Sequence, residues 1–196
     1  MKYLILFLSF IVVLLFAFQI WAYMGSRNIE TYPYEVMISY DDFEIRKYEA
    51  ANFTLVTTPG NNYSESSGSG FRVLAGYIFG GNSTNEKIAM TSPVEMELKD
   101  SITMKFMVPS KYDLDDLPVP DNSRIRFKNE KQKLVAAISF GGWANDRKIE
   151  KHKQKLISLM AKEGIEHDSD FSFLGYDSPF VWIGRKNEII VGLKKD

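Results

Sequence analysis

Residues 71–108 read FRVLAGYIFGGNSTNEKIAMTSPVEMELKDSITMKFMV, and their changing periodicity decides the fold. Phe71, Leu74, Ala75, Ile78 and Phe79 recur at helical spacing before Gly80-Gly81 ends the element. Ala89 to Leu98 then alternates through Val94, Met96 and Leu98, while Glu95 and Glu97 point the other way and read as a solvated strand face. Ile102, Met104, Phe106 and Val108 share one face of a second strand.

Upstream, Val36 to Ser39 and Phe43 to Tyr48 read as strands around the turn Asp41-Asp42, and Asn52 to Thr58 as a third, closed by Pro59-Gly60. Ser64 to Gly70 is rich in serine and glycine and reads as a loop or frayed helix start. Downstream, Pro109, Pro118 and Pro120 punctuate a linker, and then the order repeats. Arg124 to Lys128 and Leu134 to Phe140 are strands. Asn145 or Asp146 can cap a helix running to Glu163, whose apolar stripe is Ile149, Leu156 and Met160. His167 follows Gly164 in a polar turn, and Phe171 to Tyr176 and Ile189 to Leu193 finish the pattern. Thr91-Ser92-Pro93-Val94 is echoed by Asp177-Ser178-Pro179-Phe180, which supports duplication. The pattern predicts an α+β domain with two helices on a curved antiparallel sheet, related by an approximate two-fold.

From Tyr3 to Met24 only Ser9 and Gln19 are polar and nothing is charged, a segment long enough as a helix to cross a hydrocarbon core of roughly 30 Å. A cleaved signal peptide is the rival reading, but Ala22 with Met24, or Ala17 with Gln19, does not offer two small residues at the −3 and −1 positions. Trp21 and Tyr23 resemble an interfacial aromatic belt. Residues 1–26 are therefore expected to be a membrane anchor, 27–33 a tether and 34–196 the folded domain. Lys2 on one side, and Arg27 followed by Glu30 on the other, favour an inside N-terminus and a domain on the outer, extracytoplasmic side.

The 196 residues carry a net charge of −1 and no cysteine, which excludes disulfides and thiolate chemistry and leaves no basic excess for nucleic acid. Both histidines stand alone: His152 on the edge of the second helix's apolar stripe, His167 in its turn. Neither forms a metal-ligand pair. The serines make no Gly-x-Ser-x-Gly elbow, and no acid–base carboxylate pair stands out. What stands out is 14 phenylalanines, 10 tyrosines and 8 methionines, side chains that pack either as core or around a flat apolar ligand.

Three blocks carry a resemblance. Gly80-Gly81 with Ile88-Ala89-Met90-Thr91-Ser92-Pro93-Val94, then Phe106-Met107-Val108-Pro109-Ser110-Lys111-Tyr112 with Leu117-Pro118-Val119-Pro120, form the first two. The third is Phe140-Gly141-Gly142-Trp143-Ala144 with Gly175-Tyr176-Asp177-Ser178-Pro179 and Gly184-Arg185-Lys186-Asn187-Glu188. In this order, over Tyr34 to Leu193, they resemble the SOUL family of heme-binding proteins. The resemblance implies a distorted antiparallel β-barrel of two βαββ repeats with two packed helices. It also implies non-covalent binding of heme or another porphyrin in an apolar cleft bordered by the first helix, and no catalytic residues.

Carried onto this chain, the cleft wall would be Phe71, Leu74, Ala75, Ile78 and Phe79, with Arg72 meeting the propionates. Met90, His152 and Tyr77 are the candidate axial ligands, or there is none. The same fold resembles effector-binding domains for other flat hydrophobic molecules, which is the alternative reading; a tetrapyrrole dechelatase ranks behind both.

Overall fold

The computed structural model describes residues 2–27 and 29–194. Helix α1 (Lys2–Arg27) leads into the domain. There follow β1 (Glu30–Thr31), β2 (Tyr34–Ser39), β3 (Glu44–Tyr48), β4 (Ala51–Thr58), α2 (Tyr63–Ile78), β5 (Thr91–Ser92), β6 (Val94–Leu98) and β7 (Ile102–Met107). The second half supplies β8 (Arg126–Glu130), β9 (Lys133–Gly141), α3 (Asp146–Lys162), β10 (His167–Gly175) and β11 (Lys186–Leu193).

Nine strands form one antiparallel sheet in the order β2-β3-β9-β11-β10-β6-β7-β4-β8. That order is the duplication made visible. β4-α2-β6-β7 and β9-α3-β10-β11 are the two βαββ units, and they meet where Val94–Glu97 of β6 pair with Ser172–Gly175 of β10. Each unit is extended by the strand that precedes the other: β3 pairs with β9, and β8 with β4. Helix α2 packs over β4 and β7, and α3 over β9 and β11. The sheet keeps free edges at β2 and β8, so the expected barrel is a curled, open half-barrel.

Curling explains a correction. The face toward the helices is apolar, through Ile45, Val56, Met96, Met104, Phe106, Ile138, Phe173 and Ile189. Among the described residues no helix covers the other face, which buries itself by curvature around Tyr32, Tyr48, Phe53, Met107, Leu174 and Ile190. Glu95 lies on that face and is 2% exposed, not solvated. It sits with Glu130 and Glu97 around the 1%-exposed Lys105, whose Nζ is 2.8 Å, 2.8 Å and 2.9 Å from their carboxylates. Burial acts to lower the Lys105 pKa, but Glu95, Glu130 and Glu97 outweigh it and hold the ammonium above its ordinary range. Beside the second unit, Arg46 of β3 places Nη1 2.9 Å from Glu188, and Ser139 and Tyr176 also donate to that carboxylate. Each half thus carries one buried cation–carboxylate cluster on the inner face.

Four further readings change or narrow. Residues Ser64 to Gly70 are helical, because Asn62 caps α2 by accepting from Glu65 N at 2.9 Å and starts the helix eight residues before Phe71 opens its apolar pattern. His167 opens β10 rather than lying in a turn. The Asp177-Ser178-Pro179-Phe180 echo follows β10, whereas Thr91-Ser92-Pro93-Val94 precedes β6. The two segments are therefore neighbours at one end of the sheet, with Ser92 Oγ donating to Tyr176 O at 3.1 Å, and are not two-fold equivalents. Part of the expected tether is laid down on the domain: Glu30–Thr31 pair with β5, and Tyr32 is buried.

Candidate functional site

Between α2 and the loops beyond it lies a cleft of about 320 Å³, at the lower end of the range, roughly 300–1,000 Å³, usual for small-molecule sites. One wall is the first half of α2: Tyr63, Ser67, Gly68 and Phe71. The floor is sheet: Val94, Met96, Met104 and Phe173. The cleft exists because this stretch of helix is built from small residues. A Cβ at Gly68 would meet nothing within 4 Å, while two residues on, at Gly70, it would meet the Met104 side chain at 3.2 Å. The helix therefore presses on the sheet at Gly70 and leaves open space at Gly68.

The far rim comes from two glycine turns. Gly142 (φ 78°) and Gly184 (φ 75°) adopt left-handed backbone conformations that glycine tolerates, and each delivers the residue that follows it to the rim. Those residues are Trp143 and Arg185, whose guanidinium lies 4.2 Å from the indole centroid. Arg185 also donates to the carbonyls of Ser178, Val181 and Asp177 at 2.8, 2.7 and 3.1 Å. Its Nε is buried and has no hydrogen-bond partner among the described residues. Asn187 Nδ2 donates to Gly142 O at 2.7 Å and fixes the Trp143 turn. Burial pushes the Tyr63 hydroxyl above its ordinary pKa, so it is a neutral phenol at physiological pH.

The residues marked in the sequence are scattered by comparison. Phe71 lines the cleft and packs against Phe106 with centroids 5.4 Å apart. Leu74, Ala75 and Ile78 face the sheet and are buried in the core, Phe79 is exposed, and Arg72 is exposed on α2 beyond the cleft lining. Ile78 and Met90 border a separate cavity of about 10 Å³, room for one water at most. Tyr77 is buried with its hydroxyl donating to Pro118 O at 2.9 Å. His152 stacks on Phe140 at 4.1 Å, with its Nδ1 2.7 Å from Lys148 O, as a packing residue does. Among the described residues no histidine lines the cleft. The sequence places Trp143 and Arg185 in the third family-like block, and Met96, Met104 and the Phe171–Tyr176 segment in strands, but gives none of them a place in the cleft. The signal available was the pair of Gly-aromatic and Gly-basic turns at 142–143 and 184–185, which only strand pairing brings together.

An apolar cleft set beside the first helix of a duplicated βαββ frame, with one basic side chain at its rim, defines a small-molecule-binding domain. The comparisons with known proteins specify it. The family model described as SOUL heme-binding protein matches residues 29–192, and the chain belongs to that family. It is 29% identical to heme-binding protein 1 of Xenopus laevis over 155 residues, covering 75% of this chain and 81% of that one. It is 28% identical to heme-binding protein 2 of Mus musculus over 156 residues, covering 75% and 76%. The fold is shared with a structure described as a hydrolase from Listeria innocua, at TM-score 0.58 and 11% identity over 81% of this chain and 94% of that chain.

Proposed function

We propose that this protein binds heme or a related tetrapyrrole non-covalently in the α2 cleft, without catalysis of its own, and holds it at a membrane through α1. The observation that carries the reading is the cleft itself, bounded by Phe71, Phe173, Met96, Met104 and Trp143. Aromatic and thioether groups on opposite walls suit the two faces of a flat macrocycle. Arg185, which lines the cleft and whose hydrogen bonds go to backbone carbonyls and not to a carboxylate, is assigned the ring's carboxylate; Arg72, outside the lining, is assigned at most a peripheral contact. Leu74, Ala75 and Ile78 support the wall from behind. With no histidine among the lining residues described, recognition rests on packing more than on iron ligation.

The anchor reading rests on α1, whose Lys2–Gln19 segment is long and apolar enough to span a bilayer. The flanking charges favour a domain on the outer side. The test is titration of the full chain in detergent micelles with hemin. A saturable shift and sharpening of the Soret band is expected; no change beyond that given by an unrelated protein would overturn the reading. The histidine-free lining favours one second reading, a cleft for other flat hydrophobic molecules. A panel of such compounds that displaces nothing, or that binds while hemin does not, separates the two.

A further inference from the structure

The chain between the cleft and α1 carries an apolar feature that ligand binding does not use. Phe180, Trp182 and Ile183 are 58%, 48% and 67% exposed on one loop between β10 and β11, and Ser178 to Gly184 contains no charged residue. The loop is not loose. Arg185 ties down three of its carbonyls, and Asp177 Oδ2 accepts from Lys186 N at 2.6 Å. Three large apolar side chains are thus held outward by a braced loop, an arrangement that water alone does not favour.

The loop touches α1. Trp182 N donates to Gln19 Oε1 at 3.0 Å, and the Phe18 ring lies 6.4 Å from Phe180 and 6.1 Å from Trp182. Phe18 and Gln19 lie near the domain-side end of the uncharged run Tyr3–Met24, just before Trp21 and Tyr23 in sequence. At about 1.5 Å per residue they stand about 24 Å along a run of about 33 Å, against roughly 30 Å for a hydrocarbon core. With α1 across a bilayer, the contact therefore falls near the border of hydrocarbon and headgroups, the layer that aromatic side chains prefer. Pro179 and Arg185, at the two ends of the loop, both line the cleft, and Trp143 on the same rim is 52% exposed.

We propose that the loop Pro179–Gly184 is inserted in the bilayer interface beside α1, so that the mouth of the cleft opens at the lipid surface and a hydrophobic ligand passes between bilayer and cleft without crossing water. The proposal rests on α1 being a membrane anchor, and its test separates the two. Trp21, Trp143 and Trp182 are the three tryptophans. Two full-length variants, Trp143→Phe with Trp21→Phe and Trp143→Phe with Trp182→Phe, leave Trp182 or Trp21 as the single reporter in phosphatidylcholine vesicles. Trp182 fluorescence is expected to be quenched by lipids brominated near the headgroup, at least twofold more than by lipids brominated near the chain end. A Trp182 untouched by either label while Trp21 is quenched overturns the inference and leaves the anchor standing; cross-linking of the same vesicles then shows whether a second copy covers the loop. If neither tryptophan is quenched, the anchor fails and the inference with it.

The route is tested by the triple variant Phe180→Ser, Trp182→Ser, Ile183→Ser. Hemin transfer from vesicles into the protein should slow at least fivefold, while equilibrium affinity for hemin in detergent is unchanged. An unaltered transfer rate rules out the lipid-side mouth.

Discussion

The two βαββ halves share a frame and differ in what lies under their helices. Beneath α3 the space is filled: Ile149, Leu156 and Met160 are buried, and His152 closes the edge by stacking on Phe140. Beneath the first turns of α2, Ser67 and Gly68 leave the gap that Phe71, Trp143 and Arg185 surround. Side-chain volume on one helix, not topology, leaves one half with a cleft and the other filled. The filled copy braces the sheet that forms the floor of the proposed site.

The largest expected effect lies below both helices, in the ion clusters that let the sheet curl. Lys105→Met takes from buried Glu95 its cation at 2.8 Å, leaving Lys133 at 3.9 Å, while Glu130 keeps Lys133 at 2.8 Å. It should cost roughly 3–5 kcal/mol by urea denaturation, against under 1 kcal/mol for the exposed Lys155→Met on α3. These clusters also set the acid limit. Burial acts to raise the carboxyls of Glu130 and Glu188, but Lys133 and Lys105 around the first, and Arg46 and Tyr176 around the second, hold both below the ordinary range. Their ionised forms therefore favour the folded state fully above the ordinary value of 4.5. That contribution is lost as pH falls from there through the lower folded values. Thermal stability should be flat from neutrality to about pH 5 and decline below it.

Next in size is the effect of filling the gap. Gly68→Trp places an indole where no neighbour stands, on a helix that gains roughly 0.5–1 kcal/mol by losing a glycine. Hemin affinity should fall at least about tenfold with stability kept. Retained affinity would place the ligand elsewhere. The rim comes third. Arg185→Met should weaken hemin binding about fivefold through a lost charge-assisted hydrogen bond, and Arg72→Met less than about twofold. A porphyrin with esterified carboxylates should bind wild type and Arg185→Met alike, which a merely structural role for Arg185 would not produce. Smallest is the control in the filled half. His152→Ala removes a ring stack and costs about 1 kcal/mol of stability, with hemin affinity unchanged. A His152→Ala variant that loses heme would return iron ligation to α3.

Much of this frame was legible in residue order. The alternation of Val94, Met96 and Leu98, the helical stripe of Ile149, Leu156 and Met160, and the Asn145 cap each describe local geometry that the fold keeps. The serine–glycine start of α2 reads equally as loop or frayed helix start by composition, and the Asn62–Glu65 capping pair is the local signal that decides for helix. Glu95 and Glu97 read as solvated in the sequence because alternation reports which side a residue faces, not whether that side is covered. Curvature over nine strands covers it. The cleft's rim was the least legible, since Trp143 and Arg185 are 42 positions apart in sequence and meet only through the Gly141–Lys186 register of β9 and β11.

The most direct measurement is residue-resolved: amide NMR shifts of the isotope-labelled chain in micelles on adding iron-free protoporphyrin IX, which avoids paramagnetic broadening. The largest changes are expected at Gly68, Phe71, Trp143, Gly175 and Arg185, saturating together. Changes centred instead on Ile78 and Met90, or on the inner face around Lys105, would contradict the site described above.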